Sequence, residues 1–236
     1  MILNGVAFLI VRFGRSARTV LRMVAKGQWR QALILLDQKM GLRYFDFAKA
    51  SLAETGLAPD RAKAHEISKW ELDETLRQLD ISGTDSIIDV GCGKGAAMIT
   101  MAKYPFSKIV GLDLSPEMIT VARRNLSRLR VGSRLTVFCC DAATFTDLDD
   151  YSHIYFFNPF PCHVMESVMK NVKESLARAP RNLTIVYNTP DCSREILASG
   201  DFQRVSEYRF STKAPVEVYF HSPARAPAAL TGELFP

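Results

Sequence analysis

From Ser86 onward, short apolar runs bounded by turn residues alternate with longer stretches whose apolar positions recur every three or four residues. Ile87, Ile88 and Val90 form a β-branched run of the kind that suits a parallel strand covered on both faces. The pattern predicts strands over Ser86–Val90, Lys108–Leu112, Leu135–Cys139, His153–Phe157 and Leu183–Tyr187. Between them it predicts helices over Ala96–Lys103, Pro116 to near Arg130, His163–Ala179 and Cys192–Ala198. Ser115-Pro116 offers an N-cap serine followed by proline at the first helical position. Strand–helix alternation implies a parallel sheet. Phe202–Phe210 and Val216–His221, separated by Ser211–Pro215, complete it as an antiparallel hairpin. The predicted fold is α/β, a doubly wound, mostly parallel seven-stranded sheet with an antiparallel terminal hairpin.

The first 79 residues read differently, as an N-terminal helical elaboration. Gly27, Gly41, Gly56 and Pro59 divide residues 27–79 into helical pieces that would cap the sheet. The expected organisation is a helical cap over 1–79, a ligand-binding domain over 80–222 and a disordered Ala/Pro-rich tail over 223–236. Val6–Val11 is apolar but far short of the ~20 residues of a membrane span. The basic residues follow this run, which argues against a signal peptide. Arg12, Arg15, Arg18, Arg22, Lys26 and Arg30 fall within one arc of a helix, with Phe13, Val20, Leu21 and Val24 on the other side. Such a helix either lies on an anionic membrane surface or acidic partner, or packs its apolar side on the domain and leaves the arginines in water.

Charge sharpens this division. The net +5 resolves into +7 over residues 1–50 and −2 over the rest, so the predicted domain is no general nucleic-acid binder. The basic segment lacks interleaved aromatics for base stacking, which favours a peripheral membrane contact over RNA or DNA. Cys92, Cys139, Cys140, Cys162 and Cys192 contain no C-x-x-C pair and read as reduced thiols of a cytoplasmic protein, with no metal site.

The candidate chemistry lies at Asp89-Val-Gly91-Cys92-Gly93-Lys-Gly95, between the first strand and the first helix. Three glycines let backbone N–H groups approach a ligand at a helix start. Asp113 ends the second strand, where α/β sheets hold ligands and an acid can grip a ribose diol. The spacing is G-x-G-x-G, not the dinucleotide G-x-G-x-x-G. An acid just before the loop repels a pyrophosphate and suits a cationic or amino-acid ligand. Asp89–Gly95 and Asp113 resemble the first two motifs of the class I S-adenosylmethionine-dependent methyltransferases, over roughly residues 80–222. The resemblance implies S-adenosylmethionine as cofactor. It implies that Gly91, Cys92, Gly93 and Gly95 lie beside the methionine part and that Asp89 accepts from its ammonium. Asp113 with Leu114 would bind the ribose, Met118 would pack on the adenine, and Asp141 with Ala142 would hold the adenine amino group.

Asn158-Pro159-Phe160, at the end of the fourth strand, resembles the (Asp/Asn)-Pro-Pro-(Tyr/Phe) motif of amino-group methyltransferases, with Phe160 in place of the second proline and Pro161 following. The resemblance implies that Asn158, Pro159 and Phe160 place a nitrogen acceptor, a small-molecule or protein amine. The family resemblance makes Tyr44, His65 and Trp70 further acceptor-pocket candidates, the alternative being two core aromatics and a satisfied histidine. The alternatives are an O-methyltransferase, which needs a base such as His65, His153 or His163, and a non-catalytic cofactor-binding protein acting through its basic helix.

Overall fold

The computed structural model describes Val20, residues 22–26, Ala32, residues 57–58, Arg61 and residues 70–128, 133–210 and 215–223. The chain divides into two compact units, residues 1–46 and 47–236. In the first, residues 22–26 form a helical turn in which the Lys26 N–H donates to the Arg22 carbonyl at 3.1 Å. Arg22 and Lys26 are exposed as expected, but Val24, assigned to the apolar side, is 51% exposed. The other residues of the basic stripe, Tyr44, His65 and the tail from residue 224 lie outside the described residues, as does the Trp70 side chain. Among the described residues no helix is long and apolar enough to cross a membrane.

Among the described residues of the second unit the first element is α1 (Trp70–Leu76), followed by β1 (Ser86–Val90), α2 (Ala96–Met101), β2 (Lys108–Asp113), α3 (Pro116–Arg128) and β3 (Leu135–Cys139). It continues with β4 (His153–Phe157), α4 (Cys162–Arg178), β5 (Leu183–Asn188), α5 (Ser193–Ala198), β6 (Gln203–Tyr208) and β7 (Val216–His221). The seven strands lie in the order β3-β2-β1-β4-β5-β7-β6, and β7 runs antiparallel to both its neighbours. The predicted fold class is borne out. The buried runs of β1, β2, β4 and β5 sit at the sheet centre, where both faces are covered.

Alternation across the strands builds two layers. Ile88, Val90, Leu112, Ile154, Phe156 and Ile185 face one way and pack on Val164, Val168 and Val172 of α4 and Ile196 of α5. The opposite face carries Ile87, Asp89, Gly111 and Tyr155, and α1 packs there on α2 and β7. Gly111 is fixed by this layer, since a Cβ on it would lie 2.6 Å from Met98 Sδ. Ser115 caps α3 through its hydroxyl, which accepts from the Met118 N–H at 3.4 Å.

One reading is corrected. Cys162 and Cys192 are joined by a disulfide with Cα atoms 5.3 Å apart, so they are not free thiols. They stand just beyond the carboxyl ends of β4 and β5, and the pairing of those two strands brings them together. Cys92, Cys139 and Cys140 are free.

Candidate functional site

The carboxyl ends of β1 to β4 meet in one cleft. Chain reversal after β1 requires Gly91 at φ +85°, from where its N–H and that of Cys92 donate to the Leu112 carbonyl at 2.9 and 2.8 Å. A side chain cannot be accommodated here, because a Cβ on Gly91 would lie 2.3 Å from the Cβ of Pro159. The glycine loop and the Asn158-Pro159-Phe160 segment are thus in direct contact.

Two carboxylates, Asp113 and Asp141, line the cleft, and a third, Asp89, is buried near the end of β1. Asp113 accepts from the Gly93 N–H through Oδ2 at 2.8 Å and from the Ser115 N–H through Oδ1 at 2.9 Å, so it holds the glycine loop in shape. Burial pushes its pKa up, against the pull of those two N–H groups. Asp141, just past β3, accepts from the Ala143 N–H at 3.0 Å and pairs with the guanidinium of Arg61. Asp89 is 2% exposed and its Oδ2 has no hydrogen-bond partner among the described residues. Burial, followed by the charge of Asp113, pushes the Asp89 carboxyl up to about 8.

The cleft wall brings together Gly91, Asp113, Leu114, Asp141, Ala142, Pro159 and Phe160, along with Leu57, Arg61 and Cys140. Cys92, Gly93, Gly95, Met118 and Asn158 are not among the residues lining it; Met118 is buried on α3. Gly95, at φ +82°, opens α2. Asn158 is buried at φ 40°, with its Nδ2 donating to Asp191 Oδ2 at 2.6 Å. Phe160 lies edge-on to Phe156 at 6.1 Å between ring centroids and is 5% exposed, so most of its ring is in the core.

The histidines lie elsewhere. His153 sits at the amino end of β4, away from the cleft, edge-on to Phe106 and beside the Ser152 hydroxyl. Burial pulls its pKa down, opposed by Asp85. His163 is exposed on α4. Sequence reasoning missed Arg61, Asp191, Tyr155 and Asn188. The only signal for the last two was polar residues inside otherwise apolar strands.

A glycine loop under three successive acids can hold an extended ligand carrying a cation, a diol and an amine. Residues 87–181 match the family model of the methyltransferase domain. The chain contains a methyltransferase domain. Its recognition from the Asp89–Gly95 and Asp113 motifs is borne out. Over 65 residues the chain is 38% identical to the ribosomal protein L11 methyltransferase of Aliivibrio salmonicida (strain LFI1238), a match covering 28% of this chain and 22% of that protein. The chain thus matches about a fifth of that relative's length. The methyltransferase domain also shares its fold with an RNA methyltransferase from Salinibacter ruber, solved with S-adenosyl-L-homocysteine (TM-score 0.53, 17% identity, 71% of this chain and 100% of that one). An S-adenosylmethionine-dependent O-methyltransferase from Thermotoga maritima is similar again (TM-score 0.55, 16% identity, 70% of this chain and 69% of that one). These two names specify RNA and oxygen acceptors, so the fold of the methyltransferase domain does not choose an acceptor.

Proposed function

We propose that the chain is an S-adenosylmethionine-dependent methyltransferase acting on a nitrogen acceptor. The observation that carries the cofactor is the row of Asp89, Asp113 and Asp141 at three adjoining strand ends, above a glycine loop. The residues fit the group. Asp89 offers an unpaired buried oxygen to the ammonium. Asp113 keeps lone pairs for the ribose hydroxyls beyond those used by Gly93 and Ser115. Asp141 accepts from the adenine amino group once Arg61 gives way. When bound, the cofactor supplies an activated methyl on its sulfonium. The protein's task is then to align the acceptor and exclude water.

Asn158-Pro159-Phe160 supports a nitrogen acceptor. The Asn158 nitrogen is bonded to Asp191, which fixes the orientation of its amide at the end of β4. A hydroxyl acceptor needs a base, and among the described residues no histidine lines the cleft. The relatives matched over residues of this domain are named for a ribosomal protein, which makes a protein amine the favoured class.

The test is transfer of labelled methyl from S-adenosylmethionine to ribosomal proteins and to free amines. Base-stable label in protein, lost in Asn158→Ala while cofactor binding persists, supports the reading. Label confined to hydroxyl or carboxyl products contradicts it.

A further inference from the structure

Two bonds tie the chain beyond β4 to the chain beyond β5. Asn158 Nδ2 donates to Asp191 Oδ2 at 2.6 Å, and Cys192, the next residue, is bridged to Cys162. Pro159 and Phe160 lie between the two tie points and line the cleft, with Pro159 against the Gly91 loop. The backbone at both segments is held in an uncommon form, with Asn158 at φ 40° and Thr189 at φ 54°. Residues other than glycine keep such angles only where their surroundings fix them.

The β5 side is anchored to the sheet independently of the bridge. The Asp191 N–H donates to the Thr189 carbonyl at 3.0 Å, and the Cys192 N–H to the Tyr187 hydroxyl at 3.3 Å. The Ser193 hydroxyl donates to Glu217 Oε2 on β7 at 2.6 Å, and Arg204 on β6 donates to Glu217 Oε1 at 2.6 Å. Asp191 and Cys192 thus form a fixed post, and the segment carrying Pro159 and Phe160 is what they hold. Cys192 is fully buried whereas Cys162 is half-buried, so a reductant meets the bridge at the Cys162 sulfur.

We propose that Asp191 and the Cys162–Cys192 disulfide form a redox-sensitive clamp that positions Pro159 and Phe160 in the cleft. The proposal rests on the reading of that cleft as an S-adenosylmethionine site. The reductant is a dithiol. Its thiolate bonds to Cys162 Sγ, the S–S bond breaks, and the electron pair leaves on Cys192 Sγ, which takes up a proton. The second thiol of the reductant then displaces Cys162 as a thiol. The dithiol ends as a disulfide and the bridge as two thiols. The Asn158–Asp191 hydrogen bond then holds the segment without the covalent tie, and the cleft wall loosens.

Calorimetric titration with S-adenosylhomocysteine tests the clamp, on oxidised protein and on folded protein reduced with dithiothreitol. Reduction should weaken binding about tenfold, because the wall is no longer preorganised. Asp191→Ala should also weaken it about tenfold, whereas Asp191→Asn, which keeps an oxygen for Asn158 Nδ2, should stay within about threefold of wild type. The double variant Cys162→Ala, Cys192→Ala should bind like reduced wild type and ignore dithiothreitol; if it fails to fold, the reduced wild type decides. A bridge that only constrains the unfolded chain lowers stability on reduction and leaves this affinity unchanged. That result overturns the clamp, as does a bridge that dithiothreitol cannot open in the folded protein. Wild-type affinity in Asp191→Ala overturns the positioning role of Asp191. Failure of oxidised wild type to bind S-adenosylhomocysteine would instead overturn the cofactor reading.

Discussion

Pro159 occupies the space that a side chain on Gly91 would need, with its Cβ 2.3 Å from the position a Cβ would take. The loop proposed to hold the cofactor and the segment proposed to hold the acceptor therefore share one contact, across adjoining strands β1 and β4. Gly91→Ala must both distort a backbone at φ +85° and displace a rigid pyrrolidine ring. It should destabilise the protein by about 1–3 kcal/mol, read from urea unfolding. It should also weaken nucleoside binding. Unchanged stability would show that the contact relaxes without cost.

Asp89 makes the stability of the ligand-free protein depend on pH. Its pKa rises from 3.8 to about 8 on folding, so the folded state holds a proton that the unfolded state releases. Its contribution is fully present below pH 3.8 and is lost as pH rises through about 8. Asp113 shifts the same way and buried His153 the opposite way, so the comparison must be with Asp89→Asn. Melting temperatures of wild type should fall relative to this variant between pH 5 and pH 8, the window the two values bracket. A parallel pair of curves would refute the shift.

The Cys162–Cys192 bridge closes a loop with a sequence separation of 30 between the segments after β4 and β5. Reduction with a dithiol should lower unfolding stability by about 2–4 kcal/mol. In denatured protein, three alkylations before reduction and five after it would confirm the bond directly. Labelling of all five cysteines in untreated protein would contradict it.

Arg61 pairs with Asp141, and both side chains are partly exposed, at 38% and 28%. An ion pair of this kind contributes about 0–1 kcal/mol. Arg61→Ala should therefore leave stability nearly unchanged and tighten nucleoside binding by releasing Asp141. Asp141→Asn should weaken it. Weaker binding in Arg61→Ala would make the arginine a ligand contact instead of a competitor.

Strands β1, β3, β4 and β7 were legible to the residue because each is an apolar run ended by turn formers. β2 and β5 extend one residue further than their apolar runs, to Asp113 and Asn188. Asp113 was still legible as a site residue, because an acid after a buried strand has few structural uses. What the sequence hid depends on strand order. β4 pairs with β1 across the chain and β5 with β4, and this places Tyr155 beside Asp89, Asn188 beside Phe157, and Cys162 against Cys192. No local spacing encodes those neighbours. The Arg61–Asp141 pair spans 80 residues and was equally invisible.

The most direct test of the account is calorimetric titration of the purified protein with S-adenosylmethionine, alongside Asp113→Ala. The account predicts stoichiometric binding that the substitution weakens by about 1.5–3 kcal/mol, the range for hydrogen bonds to a charged group. No binding by folded, ligand-free wild type, or binding that ignores the loss of Asp113, would contradict it.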